Sequence, residues 1–263
     1  MKKQFFILTA FLFATFTLSA QDVLLKEPNE APVNGEALVL ANEAYSNGDF
    51  QKAAGLYEEL LKTNGESAVV YYNLGNSYYK LNKIAPSILN FERALLLEPG
   101  NADIRFNLEI ARLKAVDRIE PLGDFFLTEW FRDIQNLLST DAWSHFSIAC
   151  FLLLITGLFL FFFSRRIFLK KLGFYAGLVL LVLVIFGNSF AHNQKKKLTQ
   201  REEAIIFAPT TNIKSSPDSS GTDLFILHEG TKVKIKNKLG NWNEIVTANG
   251  DVGWIRSSEI EVI

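Results

Sequence analysis

Apolar positions along the chain follow three different rhythms. Two unbroken runs, Phe146 to Phe163 and Leu172 to Ala191, contain no charged residue, and a basic stretch, Ser164-Arg165-Arg166-Ile167-Phe168-Leu169-Lys170-Lys171, separates them. Each run is long enough to cross a bilayer as a helix, the form that satisfies backbone amides inside hydrocarbon. Neither keeps the polar stripe that a core helix of a soluble protein carries on one side. The pattern predicts a transmembrane hairpin, 143–163 and 172–191, with a tight basic turn. Before it, apolar residues recur at helical spacing; after it, from Glu203 to Ile263, short β-rich runs alternate with turn residues.

The helical part repeats. Laying Asn34–Ser67 over Ala68–Asn101 pairs Leu40 with Leu74, Ala41 with Gly75, Tyr45 with Tyr79, Gly48 with Asn82, Ala53 with Ser87, Tyr57 with Phe91 and Leu61 with Leu95. Small residues at Ala41, Gly75, Ala53 and Ser87 let helices approach, while Tyr57 and Phe91 fill the space between pairs. Gly48 and Asn82 suit turns that need positive φ, and Pro86 suits a first helical turn. A third helix is expected from Asn101, a good cap residue, to about Arg118, presenting Ile104, Leu108, Ala111 and Ala115. This spacing resembles that of tetratricopeptide repeats, most closely in the second copy, Tyr71-x-x-Leu74-Gly75-x-x-Tyr78 followed by Phe91, Ala94 and Pro99.

Between repeats and hairpin, in 124–140, Leu127, Trp130, Phe131, Ile134, Leu137 and Leu138 recur every three or four residues, with Glu129, Arg132, Asp133 and Gln135 opposite. This amphipathic helix is expected along the headgroup boundary, with packing on the repeats as the competing reading. In the C-terminal segment Asn212-Ile213-Lys214, Gly230-Thr231-Lys232-Val233, Asn241-Trp242-Asn243-Glu244-Ile245 and Gly250-Asp251-Val252-Gly253-Trp254-Ile255 resemble successive strands of bacterial SH3-like domains. Trp242 and Trp254 are expected in that barrel's core. The fold class is multidomain: an all-α repeat array (34–118), a two-helix hairpin and a small all-β SH3-like barrel (203–263).

Composition narrows the function. The chain of 263 residues has a net charge of -1, which argues against nucleic acid as the main partner. The single cysteine, Cys150, rules out an intrachain disulfide and a Cys-based metal site. His145, His192 and His228 are scattered and read as interface or surface residues. No phosphate loop, metal-ligand spacing or nucleophile–base set emerges, so an enzyme is not expected and no cofactor is assigned. Met1 to Ala20, with Lys2 and Lys3 ahead of an apolar stretch, reads as a signal peptide. Basic residues tie on the two sides of the hairpin (Arg165, Arg166, Lys170 and Lys171 against Lys195, Lys196, Lys197 and Arg201), so the signal peptide sets the topology. Both soluble parts are then extracytoplasmic on a bacterial inner membrane.

The order of parts, with Phe106-Asn107-Leu108-Glu109-Ile110-Ala111 and Val116-Asp117-Arg118-Ile119-Glu120-Pro121, resembles the BatE family of bacterial aerotolerance proteins. That resemblance implies a membrane scaffold working with other Bat proteins, some bearing von Willebrand factor A domains, in oxygen or envelope-stress tolerance. In repeat arrays the first helix of each pair lines the inner face. Carried onto this chain, that rule assigns partner binding to Asn42, Tyr45, Tyr72, Asn76, Tyr79, Lys80, Phe106 and Ile110. Tyr45 is equally well read as packing between helices. Leu38 stands where repeats that grip a free carboxylate have lysine, so apolar and amide contacts are expected to dominate. The alternative function is cell-wall or peptide-ligand binding through the SH3-like domain. Membrane lipid is a further expected partner.

Overall fold

The computed structural model describes residues 35–119, 123 and 125–263; the expected signal peptide lies outside them. The repeat array consists of α1 (Gly35–Ser46), α2 (Phe50–Asn64), α3 (Ala68–Lys80), α4 (Ile84–Leu97) and α5 (Ala102–Arg112). The inter-helix turns adopt the left-handed backbone the sequence predicts, with φ 80° at Gly48 and 58° at Asn82. Small residues do their expected work: Ala41 and Ala53 are wholly buried, and a Cβ on Gly75 would meet the Phe91 ring at 2.8 Å. The Ser87 hydroxyl donates to the Gly75 carbonyl at 2.8 Å, which closes that contact without an unpaired buried hydroxyl. Asn101 caps α5 by accepting from the amides of Asp103 and Ile104.

α5 ends at Arg112, short of the expected Arg118. The reason is tertiary: the residues after it are drawn onto the C-terminal domain. Asp117 accepts from the His228 amide at 2.7 Å and the Thr231 hydroxyl at 2.6 Å, and its other oxygen meets the His228 ring at 2.7 Å. Ile119 packs against that domain's core. His228 is therefore a domain-joining residue.

α6 (Phe126–Gln135) is the amphipathic helix, and α7 (Thr140–Phe163) with α8 (Ile167–Thr199) forms the hairpin. Both hairpin helices are long and apolar enough to cross a membrane. They meet through small residues, as helices do where lipid gives no hydrophobic drive to associate: a Cβ on Gly173 would meet the Gly157 carbonyl at 2.5 Å. Asn188 donates to the Ser147 hydroxyl at 2.7 Å across the pair. α8 runs on through His192 to Lys197, so the basic stretch beyond the apolar run is helical. Nothing interrupts it, because no Gly or Pro falls between Ala191 and Thr199.

The C-terminal domain has seven antiparallel strands: β1 (Glu203–Ile206), β2 (Thr210–Lys214), β3 (Asp223–His228), β4 (Lys232–Leu239), β5 (Trp242–Val246), β6 (Val252–Arg256) and β7 (Ile260–Val262). Their order in the sheet is β3-β2-β6-β5-β4-β1-β7. Ala204, Ile206, Ile213, Val233, Ile245 and Ile255 fill the core. Strand alternation then sends the tryptophans outward. Asn243 and Ile245 point in along β5, and Gly253 and Ile255 along β6, which leaves Trp242 and Trp254 half-buried on the opposite side. The expectation that both fill the core is thus corrected.

Candidate protein-binding surface

The first helices of successive pairs lie side by side, which builds the surface the repeat register predicts. Asn42 on α1 accepts from the Tyr57 hydroxyl at 2.7 Å and from the Asn73 side chain on α3 at 3.4 Å. On α5, Asn107 donates to the Tyr72 hydroxyl of α3 at 2.6 Å. Burial, with a smaller effect of Tyr45, pushes the Tyr57 hydroxyl up to about 12, so it remains a neutral donor that fixes the Asn42 amide.

The predicted residues divide by role. Asn42, Lys80 and Phe106 are exposed, Phe106 at 66%. Asn76 and Ile110 are half-buried. Tyr45 stacks edge-on against Phe50 at 5.2 Å. Tyr72 packs 5.9 Å from Phe91, and the Lys114 ammonium sits 4.0 Å above the Tyr79 ring. The tyrosines therefore hold helices together while showing one edge to solvent. Helical spacing adds Val69 beside Tyr72 and Asn76, and Leu113 beside Phe106 and Ile110; these two are 51% and 70% exposed. Asn73, Asn107, Leu113 and Lys114 were missed, although the 34-residue offset between Asn73 and Asn107 was readable.

The SH3-like domain does not hang free. Ile205 and Ile263 join Ile84, Ala85, Ile88, Leu89 and Phe91 in one apolar cluster against α4. Glu92, 5% exposed, lies at its edge, with Arg112 of α5 at 2.5 Å and Lys232 of β4 at 2.9 Å. Burial alone would raise the Glu92 carboxyl, but the charges of Lys232 and then Arg112 outweigh it and hold the group below its ordinary value. The same holds for Asp117, where burial is outweighed by hydrogen bonds from Thr231 and His228. Arg93 reaches Glu261 at 3.2 Å and Arg201 reaches Glu66 at 2.5 Å. On the array these contacts fall on α4, on Arg112 at the end of α5 and on Glu66 between α2 and α3, and they leave Asn42, Lys80 and Phe106 exposed.

Residues 68–101 match the tetratricopeptide repeat model, which coincides with the second copy of the sequence repeat. Residues 209–261 match the bacterial SH3 domain. No curated protein matches the chain. The class defined is a repeat-bearing protein with two membrane-length helices and a bacterial SH3-like domain, the repeats serving protein–protein interaction.

Proposed function

We propose that this chain is a membrane-anchored scaffold at the extracytoplasmic face of the bacterial inner membrane, and that it works in a Bat-type aerotolerance or envelope-stress complex. The observation that carries the scaffold reading is the open aromatic and amide surface of α1, α3 and α5, with Phe106 of α5 66% exposed. Such a surface suits an extended peptide or a helix, because rigid rings bury area at little entropic cost while amides hold peptide groups. The Bat assignment rests on the order of parts and the stretch Val116-Asp117-Arg118-Ile119. The partner is then a membrane protein, von Willebrand factor A-bearing Bat proteins included.

The test uses residues without a packing duty. Phe106→Ala with Asn76→Ala is expected to weaken partner recovery by at least about 2 kcal/mol, the scale of a hot-spot residue, without loss of helicity. Undiminished crosslinking in native membranes by this folded variant would move the partner site elsewhere.

Topology is tested separately. In a Cys150→Ala background, cysteines at exposed Lys62 and Asp218 are expected to react in whole cells with an impermeant thiol reagent, once any outer barrier is permeabilised. A cysteine at Arg165, in the hairpin turn, is expected to react only after lysis. The reverse pattern overturns the extracytoplasmic placement.

A second reading, wall or peptide binding by the SH3-like domain, is favoured by the outward tryptophans. Arg256 lies 5.5 Å over the Trp242 ring, and Leu239 beside it is 60% exposed. Because Trp242 is only half-buried, Trp242→Ala should cost about 1 to 2 kcal/mol and leave the domain folded. On this reading the folded variant no longer co-sediments with peptidoglycan; equal sedimentation of both proteins removes it.

A further inference from the structure

One cavity belongs to neither soluble domain. It lies between α6 and α8, has a volume of about 420 Å³, and is lined at one level by Phe131, Phe186 and Phe190 and at another by Arg132, Asn193 and Lys197. An adjoining cavity of about 300 Å³ shares Asn193 and Lys197 and adds Lys196 and Glu202. Arg132, Lys196 and Lys197 line them at the polar level, together with Glu202. Glu202 faces Lys234 at 3.4 Å, and Glu203, whose charge acts on Lys197, is paired with Lys232 at 2.8 Å. Arg132 and Lys197 are close enough for their like charges to repel.

The position in the fold says what such a cavity meets. Phe186 and Phe190 belong to the last turns of the apolar run, and Lys197 lies two turns further along the same unbroken helix, about 10 Å on. That distance spans the step from hydrocarbon to headgroup. α6 is fastened at this level. Phe131 stacks on Phe186 at 6.1 Å, the Trp143 indole donates to the Gln135 carbonyl at 2.8 Å, and the Gln194 amide donates to the carbonyls of Gln135 and Leu138. On the same helix Leu127 and Trp130 are exposed, and the Trp130 ring lies beside that of Phe131. A ligand entering here meets aromatic rings below and positive charge above.

We propose that this cavity binds an anionic phospholipid, its phosphate between Arg132 and Lys197 and an acyl chain against Phe131, Phe186 and Phe190. The proposal rests on the reading of α7 and α8 as membrane spans. A specific lipid of this kind would fix the angle of α6 on the hairpin and so tie the repeat array to the bilayer surface. The Gly100 turn of the array lies against the α6–α7 connection, where a Cβ would meet the Leu137 carbonyl at 2.7 Å.

The test uses the full-length protein reconstituted in phosphatidylcholine bilayers. Trp130 and Trp143 lie beside the cavity, their rings 5.3 Å from Phe131 and 5.0 Å from Phe190. Brominated phosphatidylglycerol is expected to quench tryptophan emission at a far lower mole fraction than brominated phosphatidylcholine. Arg132→Gln with Lys197→Gln should remove roughly a 10- to 30-fold preference, as two lost interfacial cations would. Lys170→Gln with Lys171→Gln, the same charge removed at the opposite end of the hairpin, should retain it. Equal quenching by both lipids overturns the proposal, as does a preference that survives the first pair of substitutions or vanishes equally with the second. Displacement of the brominated lipid by millimolar inorganic phosphate would assign the site to a free anion and overturn it likewise. Protein that fails to float with the vesicles overturns the membrane reading itself, an outcome distinct from all the others.

Discussion

Replacing Glu92 with alanine is expected to destabilise the chain by about 3 kcal/mol and to free the SH3-like domain from the repeats. Its carboxylate, 5% exposed, is held between Arg112 and Lys232 at 2.5 and 2.9 Å. Removing one member of a buried ion pair strands its partners, which costs about 3 to 5 kcal/mol. The low end applies because Lys232 keeps Glu203 and Arg112 keeps Glu109. The lost contact lies between domains, so protease cleavage between α8 and β1 should accelerate along with the fall in melting temperature in detergent. Glu92→Leu with Lys232→Met should recover most of the loss, since apolar residues can replace a buried pair at little net cost. An unaltered melting profile for Glu92→Ala would refute the lock.

The lock also has a defined pH window. The folded-state value of Glu92 is lowered, so its contribution is fully present above the ordinary value of 4.5 and is lost as pH falls through the folded value. At Lys232, burial lowers the value but Glu92 and Glu203 outweigh it and raise the ammonium above 10.5, so its share is lost only in strong base. The difference between wild type and Glu92→Gln should be flat from about pH 5 to 10 and shrink in acid.

Phe91→Ala is expected to have the larger effect, about 3 to 5 kcal/mol, the range for deleting a buried aromatic ring. Phe91 is 1% exposed and sits against Gly75, Tyr72 and the apolar cluster shared with Ile205 and Ile263. Its loss therefore opens a cavity in the second repeat and weakens the seat of the SH3-like domain together. The pairing with Gly75 gives a second measurement. Gly75→Ala forces a Cβ to 2.8 Å from the ring, whereas in a Phe91→Leu background that space opens, so the two substitutions should be less costly together than their sum. Strict additivity in thermal or urea unfolding would show that the ring does not pack as described.

Some of this was decided by local sequence. The hairpin follows from two uncharged apolar runs, because the partition of a helix between water and hydrocarbon depends on its own side chains. The repeat follows from residue sizes at a fixed period, and the Gly48 and Asn82 turns follow from which residues tolerate positive φ. The binding surface was legible as far as register carries it: Asn42, Lys80 and Phe106 lie open to solvent, and Asn76 partly so, where the period predicts. That Tyr72 and Tyr79 are also half-occupied with packing was not legible, since their partners are Asn107 of α5 and Lys114 just beyond it.

Other features were decided only in three dimensions. Asp117 stops α5 short because it is claimed by His228, 111 residues away, and no local pattern announces such a bond. Glu92 reads as one more charge on a helix until Lys232, 140 residues later, closes on it. Trp242 and Trp254 face outward because Asn243, Ile245, Gly253 and Ile255 hold the inner positions. A strand's alternation is visible in sequence, but which of its two faces meets the core depends on what the neighbouring strands bring.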